Sequence, residues 1–329
     1  MIPWSLVGLL VWSDRPYALD LLSHFLLHAA GMLFVIALAL LALRRWRSGA
    51  NLVLVALILT TGWRLAATAP TGGLAHPGTT IRLVEFNMHG ERARHDNEAI
   101  TWLRDQDPDL VVLIEPPFGL LNDYPFLREK YPYTVEPAAG LMWEVMLLSR
   151  FPAEVQPIAE YSEETKFSFA ARRSLIVRPP NASPFLLSAM HPPSPRTAET
   201  WRKSLEGAEL NAGLFRAWRD KTSMPIVVAG DFNSTPVGRV HQTFARISGL
   251  KRSSPLLGGG TWPSRVPAAF ALPIDCVWTS SEWTVNTIQV GPRFRSDHRP
   301  IVAELELPPP PKQPPSESTP REPLGGSVR

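Results

Sequence analysis

The sequence predicts an α/β fold with two stacked sheets and helices on the outside, preceded by an apolar amino-terminal region. Three observations carry this. Short apolar runs bounded by turn residues recur through the middle of the chain and outnumber its long helical patterns. Most of those runs are continuous rather than alternating, as strands buried on both faces are. Polar residues with chemical capacity collect at the ends of the runs, where strands deliver side chains to one rim of a sheet. A single doubly wound sheet is the alternative. The first run, however, is followed by Met88-His89-Gly90-Glu91, which is neither a dinucleotide fingerprint nor a phosphate loop.

Residues 1–69 come first and are almost purely apolar. Tyr17–Leu43 is long enough to cross a bilayer, whose core takes about 20 apolar residues, and its polar interruptions Asp20, Ser23, His24 and His28 lie near its start. Leu52–Ala69 reads as a second span, with Arg64 able to snorkel from near one end and Trp63 suited to the interfacial belt. Met1–Trp12 is apolar but too short to span alone. A signal peptide is the competing reading; the lack of a basic n-region and the excess of apolar material count against it. Arg44, Arg45 and Arg47 form the densest basic cluster beside any span, which the positive-inside bias places in the cytoplasm. One further crossing carries the rest of the chain to the far side; without it the rest is cytoplasmic.

Residues 70–79, rich in Gly, Pro and Thr, read as a flexible linker. Residues 80–306 follow as one globular domain, ample for a core of its own. Its strand-like runs are Ile81–Asn87, Leu110–Glu115, Val145–Ser149, Ser174–Val177, Phe185–Met190, Ile226–Ala229, Ile274–Thr279 and Ile301–Leu305. Asn97–Gln106 reads as a helix capped by Asp96, with Ile100 and Leu103 on one face. Glu199–Arg219 reads as a longer one, whose stripe of Trp201, Leu205, Ala208, Ala212 and Phe215 is core packing rather than a cofactor box. Residues 307–329 are proline-rich, have no apolar period and read as disordered.

The net charge of +3 is partly local to the arginines of the anchor, so the basic pI argues little for a nucleic-acid surface. Cys276 is the only cysteine, which excludes an intrachain disulfide and a thiolate zinc cluster. Inside a strand-like run it is a small buried hydrophobe.

The residues at the ends of the runs are all oxygen or imidazole donors: Asn87, Glu115, His191, Asp231, Asn233, Asp275, Asp297 and His298. Together they suit a hard-metal hydrolytic site, although singly each has a plainer reading. Glu115 is costly to bury alone; it is a metal ligand, a strand cap or the partner of an arginine. Asp231 and Asn233 flank Phe232, so alternation turns both away from the core that takes Phe232. A turn ahead of Pro236 explains the same residues. Asp275 needs a partner, and His298 supplies one: a carboxylate fixes the tautomer of a ring and raises its basicity. His191 is locked at a strand end by Pro192-Pro193. His76, His89, His95 and His241 take the plain reading.

In order, Val84-Glu85-Phe86-Asn87, Val112-Leu113-Ile114-Glu115, Met146-Leu147-Leu148-Ser149, Ala189-Met190-His191, Gly230-Asp231-Phe232-Asn233, Ile274-Asp275 and Ser296-Asp297-His298 resemble the endonuclease/exonuclease/phosphatase superfamily. That group includes deoxyribonucleases, apurinic endonucleases, neutral sphingomyelinases and inositol-polyphosphate 5-phosphatases. Thr261-Trp262-Pro263 ahead of Asp275 is similar to its bacterial membrane-anchored branch. The resemblance implies a four-layer α/β sandwich and a Mg²⁺- or Mn²⁺-dependent phosphoesterase in a bacterial inner membrane. Residues 1–69 would sit in the bilayer and the catalytic domain on the periplasmic side. It implies Glu115 as principal metal ligand with Asn87 and Asp297 nearby. Asp231 would orient the attacking water and Asn233 hold a phosphate oxygen. His298, paired with Asp275, would contact the phosphate and manage protons, and His191 would be a second donor. Met190-His191-Pro192-Pro193 departs from the Thr-His-Leu frequent in relatives. The expected substrate is a phosphate ester of nucleic acid or of a phospholipid headgroup. The alternative is an inactive, membrane-anchored binding module that keeps the fold.

Overall fold

Residues 79–87 form the first strand, β1 (Thr79–Asn87), because they alternate two useful faces. Ile81 and Leu83 join one buried cluster and Val84, Phe86 and Met88 another, so Glu85 and Asn87 share the face of Ile81 and Leu83. The computed structural model describes residues 15–67, 78–90, 95–137, 145–156, 158, 174–253 and 259–309. The apolar stretch Met1–Trp12, nearly all of the expected linker, and the proline-rich tail beyond residue 309 lie outside them.

The further elements of the domain are α4 (Asn97–Gln106), β2 (Leu110–Ile114), α5 (Leu120–Asp123), α6 (Phe126–Lys130), β3 (Tyr133–Val135), β4 (Val145–Ser149), β5 (Ala153–Val155), β6 (Ser174–Val177) and β7 (Phe185–Met190). They continue with α7 (Ala198–Thr222), β8 (Ile226–Asp231), α8 (Arg239–Ser248), β9 (Lys251–Ser253), β10 (Asp275–Thr279), β11 (Thr284–Val290) and β12 (Ile301–Leu307). They make two six-stranded sheets, ordered β11-β12-β1-β2-β4-β3 and β5-β6-β7-β8-β10-β9. Both are mixed: β1 runs parallel to β2 and β7 to β8, while the other pairs are antiparallel.

One apolar cluster fills the space between the sheets, with Leu83, Val112 and Leu147 on one side and Leu187, Val227 and Val277 on the other. A second packs α7 and α8 on the outer face of one sheet through Leu205, Ala208, Phe215 and Phe244. A third packs α4, α5 and α6 on the other through Ile100, Leu103, Leu121 and Leu127. Helix, sheet, sheet, helix is therefore the layering, and the single doubly wound sheet is excluded.

The expected helix at Asn97–Gln106 is found with the Asp96 side chain accepting from Ala99 N at 3.2 Å. The stripe of α7 is buried as core, and Thr197 and Thr200 form a capping box ahead of it. The strands β3, β5, β9 and β11 were not expected. Three of them are three residues long, too short to show a period, and β11 is an edge strand with much of its length exposed.

The amino-terminal region corrects one expectation. Tyr17–Leu43 is not one continuous helix: it divides into α1 (Tyr17–Ser23) and α2 (Leu26–Ala42), bent by 58°. The cause is the polar start of the segment. Arg15, Asp20 and His24 are buried against the domain, so α1 docks there and α2 turns away. Then α3 (Trp46–Ala67) packs along α2, with Gly49 set against Leu41 and the Ala37 carbonyl, where a β-carbon would collide. Among the described residues no single helix is long and apolar enough to cross a membrane; α1 and α2 pass that test only as a bent pair.

Candidate active site

Strand direction brings the chemistry to one edge. Asn87, Glu115, His191 and Asp231 lie at or just past the carboxyl ends of β1, β2, β7 and β8. Strand β10 runs antiparallel to β8 with Asp275 opposite Asp231, and β12, antiparallel to β1, is entered just after Asp297 and His298. Close approach at this edge needs Gly230, because a β-carbon there would run into the Met190 carbonyl on the neighbouring strand.

His298 is the hub. Its Nδ1 contacts Asp275 Oδ2 at 2.9 Å and Oδ1 at 3.1 Å, and its Nε2 lies 3.7 Å from Asp231 Oδ2. Burial alone would lower the ring's pKa, but Asp275 first and then Asp231 outweigh it and raise it to about 10. The ring is therefore held between two carboxylates that favour its protonated form. Ser296 positions it: its Oγ accepts from His298 N at 3.0 Å and donates to the Asn87 carbonyl at 2.6 Å.

Asp231 is fully buried and its carboxyl is pushed up to about 7, by burial first and then by Asp275, with His298, Asn233 N and Asn87 pulling the other way. Asn87 Nδ2 donates to its Oδ2 at 3.1 Å and Asn233 N to its Oδ1 at 2.7 Å. The second bond closes a turn in which Asn233 has φ 49, while Phe232 is buried in the core. The turn and the site thus use the same residues. Asn233 Nδ2 donates to the Pro192 carbonyl at 3.1 Å, tying this turn to the segment after His191.

Glu115 holds φ 47, a left-handed backbone that is uncommon outside glycine. Its carboxyl is raised to about 7, mainly by burial and further by Asp297, while His298 and Arg196 oppose the shift. The ring of His191 is buried, with Nε2 3.5 Å from Glu115 Oε1 and 3.9 Å from Asp231 Oδ2.

Of the three residues expected around a metal, Glu115 and Asp297 share one electrostatic environment, whereas the Asn87 amide is engaged by Asp231. Asp297 accepts from Trp262 Nε1 at 3.1 Å through Oδ2, and its Oδ1 pairs with His89 Nδ1. His89 was given the plain reading and sits in the site; the signal was its place just past β1. Glu85 was overlooked. It is buried on the same face of β1 as Asn87, its carboxyl raised well above the usual range by burial, then by Asp275 and Asp231. Period-two counting back from Asn87 would have found it. His241 is a core residue: it is buried, stacks on Trp278 at 5.4 Å, and burial holds its pKa well below the ordinary value.

Asp231, Asp275 and His298 offer donor atoms all within 4.8 Å of one another, close enough for an ion. The ring already faces one carboxylate with each of its nitrogens, however, so that trio is better read as an ion-paired relay. The oxygen groups of Glu115, Asp297 and Asn87 remain, and an oxygen set without thiolate fits a hard divalent cation. Cys276 is buried with its thiol pushed up to about 12, chiefly by burial, and is no ligand.

A sequence profile of the Endonuclease/Exonuclease/phosphatase family matches residues 84–298. The fold is similar to an endonuclease/exonuclease/phosphatase from Bacteroides vulgatus, at TM-score 0.53 and 17% identity, covering 70% of this chain and 99% of that one. A family protein from Bacteroides thetaiotaomicron gives 0.53, 17%, 70% and 99% in the same order. A humanized D. rerio TDP2 gives 0.50, 15%, 69% and 99%. No curated protein matches the chain.

Proposed function

The chain belongs to the endonuclease/exonuclease/phosphatase family, and from that membership we propose that it is a Mg²⁺- or Mn²⁺-dependent phosphoesterase, tethered to a bacterial inner membrane, that hydrolyses phosphodiester or phosphomonoester bonds. The observation that carries the reading is the ring of His298 clamped between Asp275 and Asp231 at the same strand edge as Glu115 and His191.

Glu115, as principal ligand, and Asp297 would hold the divalent ion, with Asn87 nearby. When bound, it supplies positive charge that offsets the negative charge growing on the phosphoryl oxygens. The remaining steps belong to the protein. Asp231, with a carboxyl near 7, is poised to take a proton from the attacking water at neutral pH. His298 donates from Nε2 to a phosphoryl oxygen, its other nitrogen held by Asp275, and Asn233 and His191 add donors around the same phosphate. The bound water forms the new P–O bond, the opposite P–O bond breaks, and the leaving oxygen departs with a proton. A binding module that has lost its chemistry has no observation in its favour, because each of these positions carries a competent group.

The membrane part of the proposal rests on α2 and α3. They expose Met32, Phe34, Val35, Leu38, Leu54 and Leu57, and the arginines 44 and 45 stand at their turn. The 17 residues of α2 lie at the lower bound of what spans a hydrocarbon core, and α2 passes as a span only together with α1. A hairpin with its arginine turn in the cytoplasm returns the chain to the periplasmic side, where residues 80–306 would work. A reporter fused after residue 306 should read as exported; a cytoplasmic signal would refute this orientation.

The chemistry is tested with the purified chain and bis(4-nitrophenyl) phosphate. EDTA should abolish hydrolysis, Mg²⁺ or Mn²⁺ should restore it, and Glu115→Ala should stay folded while losing nearly all activity. Full activity in EDTA would overturn the metal reading.

A further inference from the structure

The root of the helical hairpin is bonded to the rim of the site. Tyr17 OH donates to the Pro195 carbonyl at 3.1 Å, in the segment that follows His191. The Arg15 guanidinium donates to the Val237 carbonyl and pairs with Asp20 at 2.8 Å. Asp20 in turn accepts from Arg239 N at 3.0 Å and Trp201 Nε1 at 2.8 Å. His24 Nδ1 lies 2.8 Å from Thr235 Oγ1, two residues past Asn233. His28, in the first turn of α2, lies with Nε2 2.7 Å from the Phe270 carbonyl, in the loop leading to Asp275. Three loops that border the site are therefore gripped by one segment, and α2 leaves the domain directly from that grip.

The rim itself is amphipathic. Phe118 is 71% exposed, Phe270 65%, Phe25 52% and Trp262 36%. Phe118 follows Glu115, and Trp262 bonds Asp297. Arg196, Arg265 and Arg295 are exposed on the loops carrying His191, Trp262 and Asp297. Aromatic and cationic side chains together suit the headgroup layer of a membrane, where aromatic rings sit at the interface and arginines meet anionic lipid.

We propose that the substrate is a phospholipid headgroup phosphodiester in the same bilayer that holds the hairpin, and that residues 15–28 are the strut fixing the site at headgroup height. This rests on the phosphoesterase and anchoring readings above. Water adds to the phosphorus, the P–O bond to the leaving alcohol breaks, and the alcohol takes the proton; no other reactant is needed. A strut this short places the phosphate pocket beside the first turn of the span. A long nucleic-acid duplex gains nothing from that placement, whereas a lipid headgroup already lies there.

The test uses the full chain in vesicles of phosphatidylethanolamine and phosphatidylglycerol with Mn²⁺, following lipid headgroup cleavage. Bis(4-nitrophenyl) phosphate and a short oligonucleotide serve as soluble substrates for the same preparation. Lipid cleavage is expected. The double variant Tyr17→Phe, His28→Ala should lower it at least tenfold while leaving hydrolysis of the soluble diester within twofold. Both changes remove single bonds at the edge of the domain, and an unaltered melting temperature checks that the fold is kept. Cleavage of the oligonucleotide with lipid untouched would overturn the lipid assignment and leave the phosphoesterase reading standing. Equal effects of the double variant on lipid and soluble diester would overturn the strut. Failure to hydrolyse any of the three would overturn the phosphoesterase reading and this inference with it.

Discussion

At the scale of single residues, the site is a set of groups that would be unstable apart. His298 owes its raised pKa to Asp275 and Asp231, and Asp231 owes its raised carboxyl to burial beside Asp275. The Asp275 carboxylate contacts the ring directly, at 2.9 Å, and should act on the reaction mainly through it. His298→Ala should lower kcat by at least about a hundredfold, the range of a positioned acid–base group. Asp275→Asn should lower kcat with KM nearly unchanged, and the double variant should be little worse than His298→Ala alone. A double loss equal to the product of the single losses would show two independent residues. Glu85 offers a contrasting case. Both its carboxyl oxygens are buried without a hydrogen-bond partner among the described residues. Its replacement in Glu85→Leu should stabilise the chain in urea by about 1–3 kcal/mol, the penalty of a buried unsatisfied group. Unchanged stability with lost hydrolysis would mean that the acid serves the site instead.

At the scale of elements, precision comes from loops braced by caps and turns. Asp96 is the clearest example, because one carboxylate serves two elements. Its Oδ1 caps α4 through Ala99 N, and its Oδ2 accepts from Arg295 N at 2.8 Å, two residues before Asp297. Asp96→Ala should cost about 1 kcal/mol of stability for the lost cap. It should also lower kcat, since Asp297 and His298 lose their tether; the substitution Asp96→Asn, which keeps the Oδ1 acceptor, should recover most of the stability. Stability loss without any kinetic effect would show that the tether is not needed. The loop from Thr261 to Ser264 braces the same segment from the other side, with Ser264 N donating to the Asp297 carbonyl at 2.7 Å and Arg299 N to the Thr261 carbonyl at 3.0 Å.

At the scale of the whole molecule, burying several acids at one edge has a pH signature. Glu115 and Asp231 titrate near 7 in the folded protein, against about 4 for exposed carboxyls. Between those values the folded state holds protons that the unfolded state has lost, so stability falls as pH rises through that window. His298 acts in the same direction at higher pH. Its raised value, about 10, contributes stability that is complete below the ordinary histidine range and is lost as pH climbs toward 10. A divalent cation binds the deprotonated acids, so it should relieve the strain where they are ionised. Mn²⁺ should raise the melting temperature more at pH 8 than at pH 5; an equal or reversed gain would contradict the assignment of Glu115 to the cation.

The sequence by itself determined the class of the fold and which polar residues stand at the ends of its strands. Continuous runs such as Leu110–Ile114 and Phe185–Met190 read as strands covered on both faces, and are strands; Asn87, Glu115, His191 and Asp231 stand at the ends of such runs whatever the topology. Short edge strands and the side-chain partners were not legible, because three residues carry no period and a contact between distant segments leaves no mark on local spacing. Only the tertiary structure decided that His89 meets Asp297, that Glu85 lies on the buried face of β1 with Asn87, and that Tyr17–Ser23 is docked on the domain rather than continuous with the helix after it. The last case shows the physical reason most directly. The apolar pattern of residues 17–43 records what each residue prefers, but where Asp20 and His24 find their partners depends on Trp201, Arg239 and Thr235, which reach them only once the chain has folded.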